Sequence, residues 1–281
     1  MEINKHNSKL INSKKKKQIS ATMSSPFQYN KFLMFGDSIT EYSFNQLPET
    51  HEHDPQFTLG AAFTDAYVRR MQVVRHGFAG YCTRDALKLI GPVLKYEHDT
   101  KPEAEQVKIG YIYFGTNDSR VMGEGGNYQH VDIPQYLENM KKLVAEYQKR
   151  NIHVLLVTPA LHDQKLWSKH CPEDVPTGNY RSSEVQKQYA DALYKFATEE
   201  LKVPCFHFYN AMKKYMDDHP SVTIGDMLVD GIHMSGISYK IVFDGLMELI
   251  KENYPEYYPP NMKIRFPDWP EITYDTDFNK G

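Results

Sequence analysis

The chain of 281 residues contains only three cysteines, Cys82, Cys171 and Cys205. They are scattered, odd in number and form no Cys-x-x-Cys pair, which argues against a disulfide framework or a zinc knuckle. Reduced thiols in a cytoplasmic protein are the simplest expectation. Neither sign of charge is in marked excess. The formal net charge is -3, which does not suggest a nucleic-acid partner. No apolar run approaches the ~20 residues needed to span a bilayer, so no membrane partner is expected. The N-terminal stretch lacks the apolar core of a secretory signal. Internal repeats and interdomain linkers are also missing, so one large domain is the economical reading.

Apolar residues make up 41% of the chain, enough to bury a sizeable core, and charged residues an ordinary 25%. Residues 1–29 are polar and rich in Lys, Ser and Asn. They are expected to form a disordered basic tail, with Lys14–Lys17 a solvated run rather than a localisation signal or contact patch. Met23 is a possible second start, because the folded pattern begins just after it. Residues 30–253 then form the domain. Residues 254–281 have no helical period but carry Tyr254, Tyr257, Tyr258, Phe266, Trp269, Tyr274 and Phe278. Such an aromatic extension is expected to pack on the domain or on a partner subunit.

Between these tails the apolar period alternates between strand-like and helix-like. Short apolar runs at Phe32–Phe35, Gln72–His76, Lys108–Phe114, Ile152–Val157 and Cys205–Tyr209 read as strands. Helical stripes occupy Leu59–Met71, Thr83–Lys95, the stretch from Pro134 to Arg150, Ser182–Leu201 and a last long helix capped by Ser235. Thr83 is the expected N-cap of the second. Ala160–Arg181, which contains Trp167, reads as a long irregular segment, equally a lid or a surface excursion. Five alternations predict an α/β fold: a five-stranded parallel sheet with helices on both faces.

An open parallel sheet binds ligands beyond the carboxyl ends of its strands. Gly36-Asp37-Ser38 follows strand one, Gly77-Phe78-Ala79-Gly80 strand two and Gly115-Thr116-Asn117-Asp118 strand three. Asp230-Gly231-Ile232-His233 comes after strand five and a short helix. That rim holds what acyl transfer requires. Ser38 is the candidate nucleophile and needs a base to take its proton. His233 suits that task, and Asp230 can fix its tautomer. Backbone N–H groups of Ser38 and Gly80 and the Asn117 amide are candidate oxyanion donors.

The same four blocks carry a resemblance. FGDSIT, HGFAGY, FGTND and DGIH occur in the order and at the usual spacing of the GDSL/SGNH hydrolase family. KFLMFGDSITEYSFNQ, GFAGYCTRDALKLI, LVDGIHMSGISYKIVFDGLMELI and NYPEYYPPNMKIRFPDWPEI are similar to isoamyl acetate-hydrolysing esterases of the yeast type. The similarity covers roughly residues 30–273. It implies a flavodoxin-like three-layer α/β/α sandwich and hydrolysis of acetate esters of short alcohols. It further implies a homodimer with no cofactor. Ala79 is a mild departure, since many relatives place a polar residue before the glycine.

Several residues invite other readings. Asp37 is expected to orient the turn, and Asp118 to brace its loop. Asp226 is a reserve partner for His233. Cys82 lies near Gly80 but has no evident base. His76 either lines the pocket or packs. His51, His53 and Asp54 look superficially like metal ligands, yet lack a helical i, i+4 pair, so no metal is expected. Rival functions are a deacetylase of acetylated sugars, a thioesterase, a metal-dependent hydrolase and a non-catalytic module. The last would require a missing triad member, and none is missing.

Overall fold

Seven consecutive residues, Lys31–Asp37, form β1, and all seven are buried. Alternation assigns their side chains to opposite faces of the sheet. Phe32 and Met34 enter one core cluster, Leu33 and Phe35 the other. A strand covered on both faces needs apolar residues at every position, which is why FLMF reads as an unbroken run. The computed structural model describes residues 25–48, 54–123, 126–174, 176–178 and 180–280.

Strands β2 (Gln72–Phe78), β3 (Val107–Tyr113), β4 (His153–Val157) and β5 (Cys205–Phe206) complete one sheet in the order β2-β1-β3-β4-β5. All four pairings are parallel. Helices α1 (Ser38–Glu41), α2 (Leu59–Ala66), α3 (Thr83–Leu94), α4 (Ile133–Gln148) and α5 (Gln164–His170) come first in the chain. They are followed by α6 (Ser183–Lys195), α7 (Phe208–Asp218), α8 (Ile224–Met227) and α9 (Gly236–Asn253). Residues of α2, α7 and α9 build one core cluster, and residues of α3, α4 and α6 the other. The expected three-layer sandwich is the observed one.

Several boundaries differ from the sequence reading, each for a local reason. Cys205–Tyr209 is strand for only two residues, because Phe208 already opens α7. Thr158 Oγ1 accepts from Phe208 N at 3.0 Å, holding that start. Cys82, not Thr83, is the N-cap of α3. The Thr83 side chain is instead committed to Asp118. Ser235 is the N-cap residue of α9, but its hydroxyl donates to Asp226 O at 2.7 Å rather than to the helix. Ala160–Arg181 is not irregular throughout. Asp163 accepts from Lys165 N and Leu166 N and starts α5 inside it. The helical stretches read through Lys95 and Leu201 end in π-helical turns, Lys95–Asp99 and Phe196–Leu201.

The tail expected at residues 1–29 lies outside the described residues up to residue 24. Residues 25–29 are held by the other end of the chain. Arg265 donates to the carbonyls of Pro26 and Gln28 and lies over the Tyr29 ring. Arg69 in turn donates to the carbonyls of Arg265, Phe266 and Pro267. Tyr254, Tyr257, Tyr258 and Met262 pack against the core cluster of α9.

Candidate active site

The sheet order reverses direction at β1, whose neighbours β2 and β3 both follow it in sequence. Such a switch point opens a crevice at the carboxyl ends of the strands. Ser38 stands there, as the first residue of α1. Asp37 caps that helix, accepting from Ile39 N at 3.0 Å. Close approach of α1 to the sheet depends on two glycines. A Cβ on Gly77 would lie 2.1 Å from Glu41 N, and one on Gly36 would lie 2.2 Å from Thr40 Oγ1.

The second arm of the site is the loop between α8 and α9. Val229 N donates to His233 O at 2.8 Å, and Leu228 and Met234 form an antiparallel bridge, so residues 229–233 make a tight turn. Gly231 sits at φ +102°. A Cβ there would lie 2.4 Å from Asp163 O. The turn brings Asp230 and His233 to one side. Asp230 Oδ1 accepts from the backbone N–H groups of Ile232 and His233, both at 2.9 Å. Asp230 Oδ2 lies 2.5 Å from His233 Nδ1, and His233 Nε2 lies 2.9 Å from Ser38 Oγ.

Burial alone would raise the Asp230 carboxyl. The hydrogen bond and charge of His233, with the two backbone N–H groups, outweigh it and hold the group well below the usual carboxylate range. An ionised carboxylate only accepts, so the imidazole must carry its proton on Nδ1. In that tautomer of the neutral imidazole, Nε2 turns its lone pair to the Ser38 hydroxyl.

The third arm joins the loops after β2 and β3. Gly80, at φ +79°, follows two residues after Phe78, the register partner of Asp37. Asn117 Nδ2 donates to Tyr81 O at 2.9 Å, tying the two loops together. Gln129 Nε2 donates to Gly80 O at 2.7 Å, and Ala79 N donates to Glu41 Oε2 at 2.5 Å. Asn117 is itself buried, its Oδ1 accepting from Arg181 Nη2 at 2.7 Å. Beside His233 opens a cleft of about 250 Å³, lined by Tyr42, Asn45, Pro48, His170 and Met234. The Tyr42 ring meets the His233 imidazole edge-on at 5.1 Å.

The other candidates take different places. Burial pushes the Asp37 and Asp118 carboxyls each up to about 7. Asp118 accepts from Thr83 N at 3.0 Å and so ties its loop to the start of α3. Asp226 accepts from Thr223 N and Oγ1 in the capping box of α8, while His233 Nδ1 is paired with Asp230. His76 Nε2 lies 2.9 Å from Glu97 Oε1, which also leaves it out of the cleft. Burial, reinforced by the Asp118 charge, pushes the Cys82 thiol up to about 11, the reverse of nucleophile activation. Asp54 bonds Gln56 Nε2 at 3.0 Å, while His51 and His53 lie outside the described residues. Sequence reasoning missed Arg181 and Gln129. Neither belongs to a recognisable block, and both reach the site only through folding.

The profile of the GDSL-like Lipase/Acylhydrolase family matches residues 32–246. The isoamyl acetate-hydrolyzing esterase of Saccharomyces cerevisiae is 36% identical over 247 residues, covering 88% of this chain and 97% of that one. The isoamyl acetate-hydrolyzing esterase 1 homolog of Homo sapiens is 27% identical over 256 residues, covering 90% and 92%. Among solved structures, the acetylxylan esterase Axe2 of Geobacillus stearothermophilus superposes with a TM-score of 0.53 at 19% identity, over 79% of this chain and 94% of that one. This last likeness speaks to the fold alone. The chain belongs to the GDSL-like lipase/acylhydrolase family and is a carboxylic ester hydrolase.

Proposed function

We propose that the protein hydrolyses acetate esters of short alcohols through an acyl-enzyme on Ser38. The observation that carries this is the continuous relay from Asp230 through His233 to Ser38, with contacts of 2.5 and 2.9 Å. His233 Nε2 takes the Ser38 proton as Oγ attacks the ester carbonyl. Asp230 holds the tautomer and stabilises the imidazolium. The backbone N–H groups of Ser38 and Gly80 and the Asn117 amide receive the developing oxyanion. His233 then protonates the departing alkoxide. Water attacks the acetyl-enzyme, again deprotonated by His233, and releases acetate and free Ser38. No step requires a cofactor or metal.

Two things support the choice of ester. The relative from Saccharomyces cerevisiae is named for isoamyl acetate. The cleft of about 250 Å³ lies on the His233 side, where the leaving alcohol must be protonated, and suits a short branched alkyl group. Replacing Ser38 by Ala is expected to lower turnover of p-nitrophenyl acetate by about 10⁴-fold or more. The thermal midpoint should stay within a few degrees of the parent. Activity retained in the folded variant would remove the nucleophile.

The proposal extends to a cytoplasmic homodimer. Its support is three unpaired cysteines and an aromatic C-terminal extension that leaves Trp269 83% exposed. Light scattering of the full chain should return twice the monomer mass; a monomer at all concentrations tested would reject the dimer.

A further inference from the structure

We infer that Arg181 is a positioning residue of the oxyanion hole, acting through the side chain of Asn117. The inference rests on the reading of Asn117 as an oxyanion donor. Arg181 ends the segment before α6 and is 3% exposed, although it carries a guanidinium. Nε donates to Thr116 O at 2.9 Å. Nη2 donates to Asn117 Oδ1 at 2.7 Å and to Gln129 Oε1 at 3.3 Å. Among the described residues no carboxylate bonds it. Burial pushes the group down to about 10, with repulsion from Arg120 adding to this, so it remains a cation at neutral pH.

A guanidinium donates and never accepts. The Asn117 amide must therefore present Oδ1 to Arg181 and turn Nδ2 away from it. One Nδ2 hydrogen goes to Tyr81 O. The second has no protein acceptor among the described residues and is the one available to the substrate. A half-turn of the amide would set its NH₂ group against the guanidinium and break the Tyr81 bond. Without Arg181, Oδ1 would keep only Gln129 Nε2, at 3.5 Å. A cation bonded to an amide oxygen also polarises the amide, so its N–H donates more strongly as negative charge develops nearby. Gln129 extends the frame: it accepts from Arg181 and donates to Gly80 O, linking both loop donors to one buried charge.

A strut that merely supports the fold would behave differently, and a mutant cycle separates the two. Arg181→Met and Arg181→Lys are each made in the full chain and in the Asn117→Ala variant. Hydrolysis of p-nitrophenyl acetate and thermal midpoints are measured for all. Arg181→Met is expected to lower kcat by about 10- to 100-fold with KM within about twofold. In the Asn117→Ala background the same change should cost less than about threefold, because the side chain it positions is gone. Arg181→Lys, which keeps charge but not the fork, should fall between, and it carries the cycle if the methionine variant does not fold. Equal losses in both backgrounds would overturn the inference. An Asn117→Ala variant with undiminished kcat would instead overturn the reading beneath it.

Discussion

At the residue scale the site is a set of polar groups held against their preference for water. His162 shows the cost most plainly. It is buried beside the Asp230–His233 turn, and its Nδ1 donates to Gly231 O at 2.7 Å. Burial pushes the imidazole from 6.5 down to about 4, reinforced by the Arg181 charge and opposed by that carbonyl and by Asp163. The unfolded chain therefore binds a proton near pH 6.5 that the folded chain refuses until about pH 4. Stability contributed at this position is present above pH 6.5 and is lost as pH falls towards 4. His162→Asn keeps a donor for Gly231 but cannot titrate. Its stability deficit at pH 7.5, read by denaturant unfolding, should shrink at pH 4.5; an unchanged deficit would contradict this account.

Legibility at this scale follows chemistry. The candidates Ser38, Gly80, Asn117, Asp230 and His233 could be picked out in the sequence because each sits in a short block at a strand end or a turn, and the fold brings His233 within hydrogen-bond reach of both Asp230 and Ser38. Arg181 could not be. It lies 64 residues from Asn117, and its type is common on surfaces, so nothing local distinguishes it from a solvated arginine. Asp37 was legible as the residue that orients its turn because the chemistry is local, one carboxylate to an N–H two residues on.

At the element scale, β1 and α1 form the unit that presents Ser38, the proposed nucleophile. Its geometry requires a backbone-to-backbone approach at Gly77. Gly77→Ala would force a methyl to within 2.1 Å of Glu41 N and displace α1 from β2. Overpacking of this kind costs about 1–3 kcal/mol. The variant should lose that stability in urea and also lose kcat, because Ser38 moves with the helix. Full stability with full activity would show that the contact is soft. Strands buried on both faces were readable from apolar runs, and their ends were correct to about two residues. The exception, β5, shares its apolar residues with α7, so period alone cannot find the boundary. α5 was missed for a related reason: none of its residues is buried, so it has no apolar stripe.

At the scale of the whole molecule, the order β2-β1-β3-β4-β5 makes the chemistry possible. It sets the β1 terminus between two loops and leaves the far end of the chain to return across it with Asp230 and His233. Alternation of strands and helices in the sequence implied a parallel sheet. The layer each helix occupies follows from right-handed crossovers rather than from composition. The joining of residues 25–29 to the C-terminal extension through Arg265 and Arg69 had no sequence signal, since backbone carbonyls are the acceptors.

The proposed mechanism requires that His233 activate one hydroxyl, that of Ser38. Labelling the full chain with a serine-directed organophosphate, followed by peptide mass spectrometry, tests it most directly. A single adduct is expected on Ser38, appearing as activity disappears, with a slowed reaction in a His233→Ala variant. Complete inactivation with the Ser38 peptide unmodified, or an adduct on another serine, would contradict it.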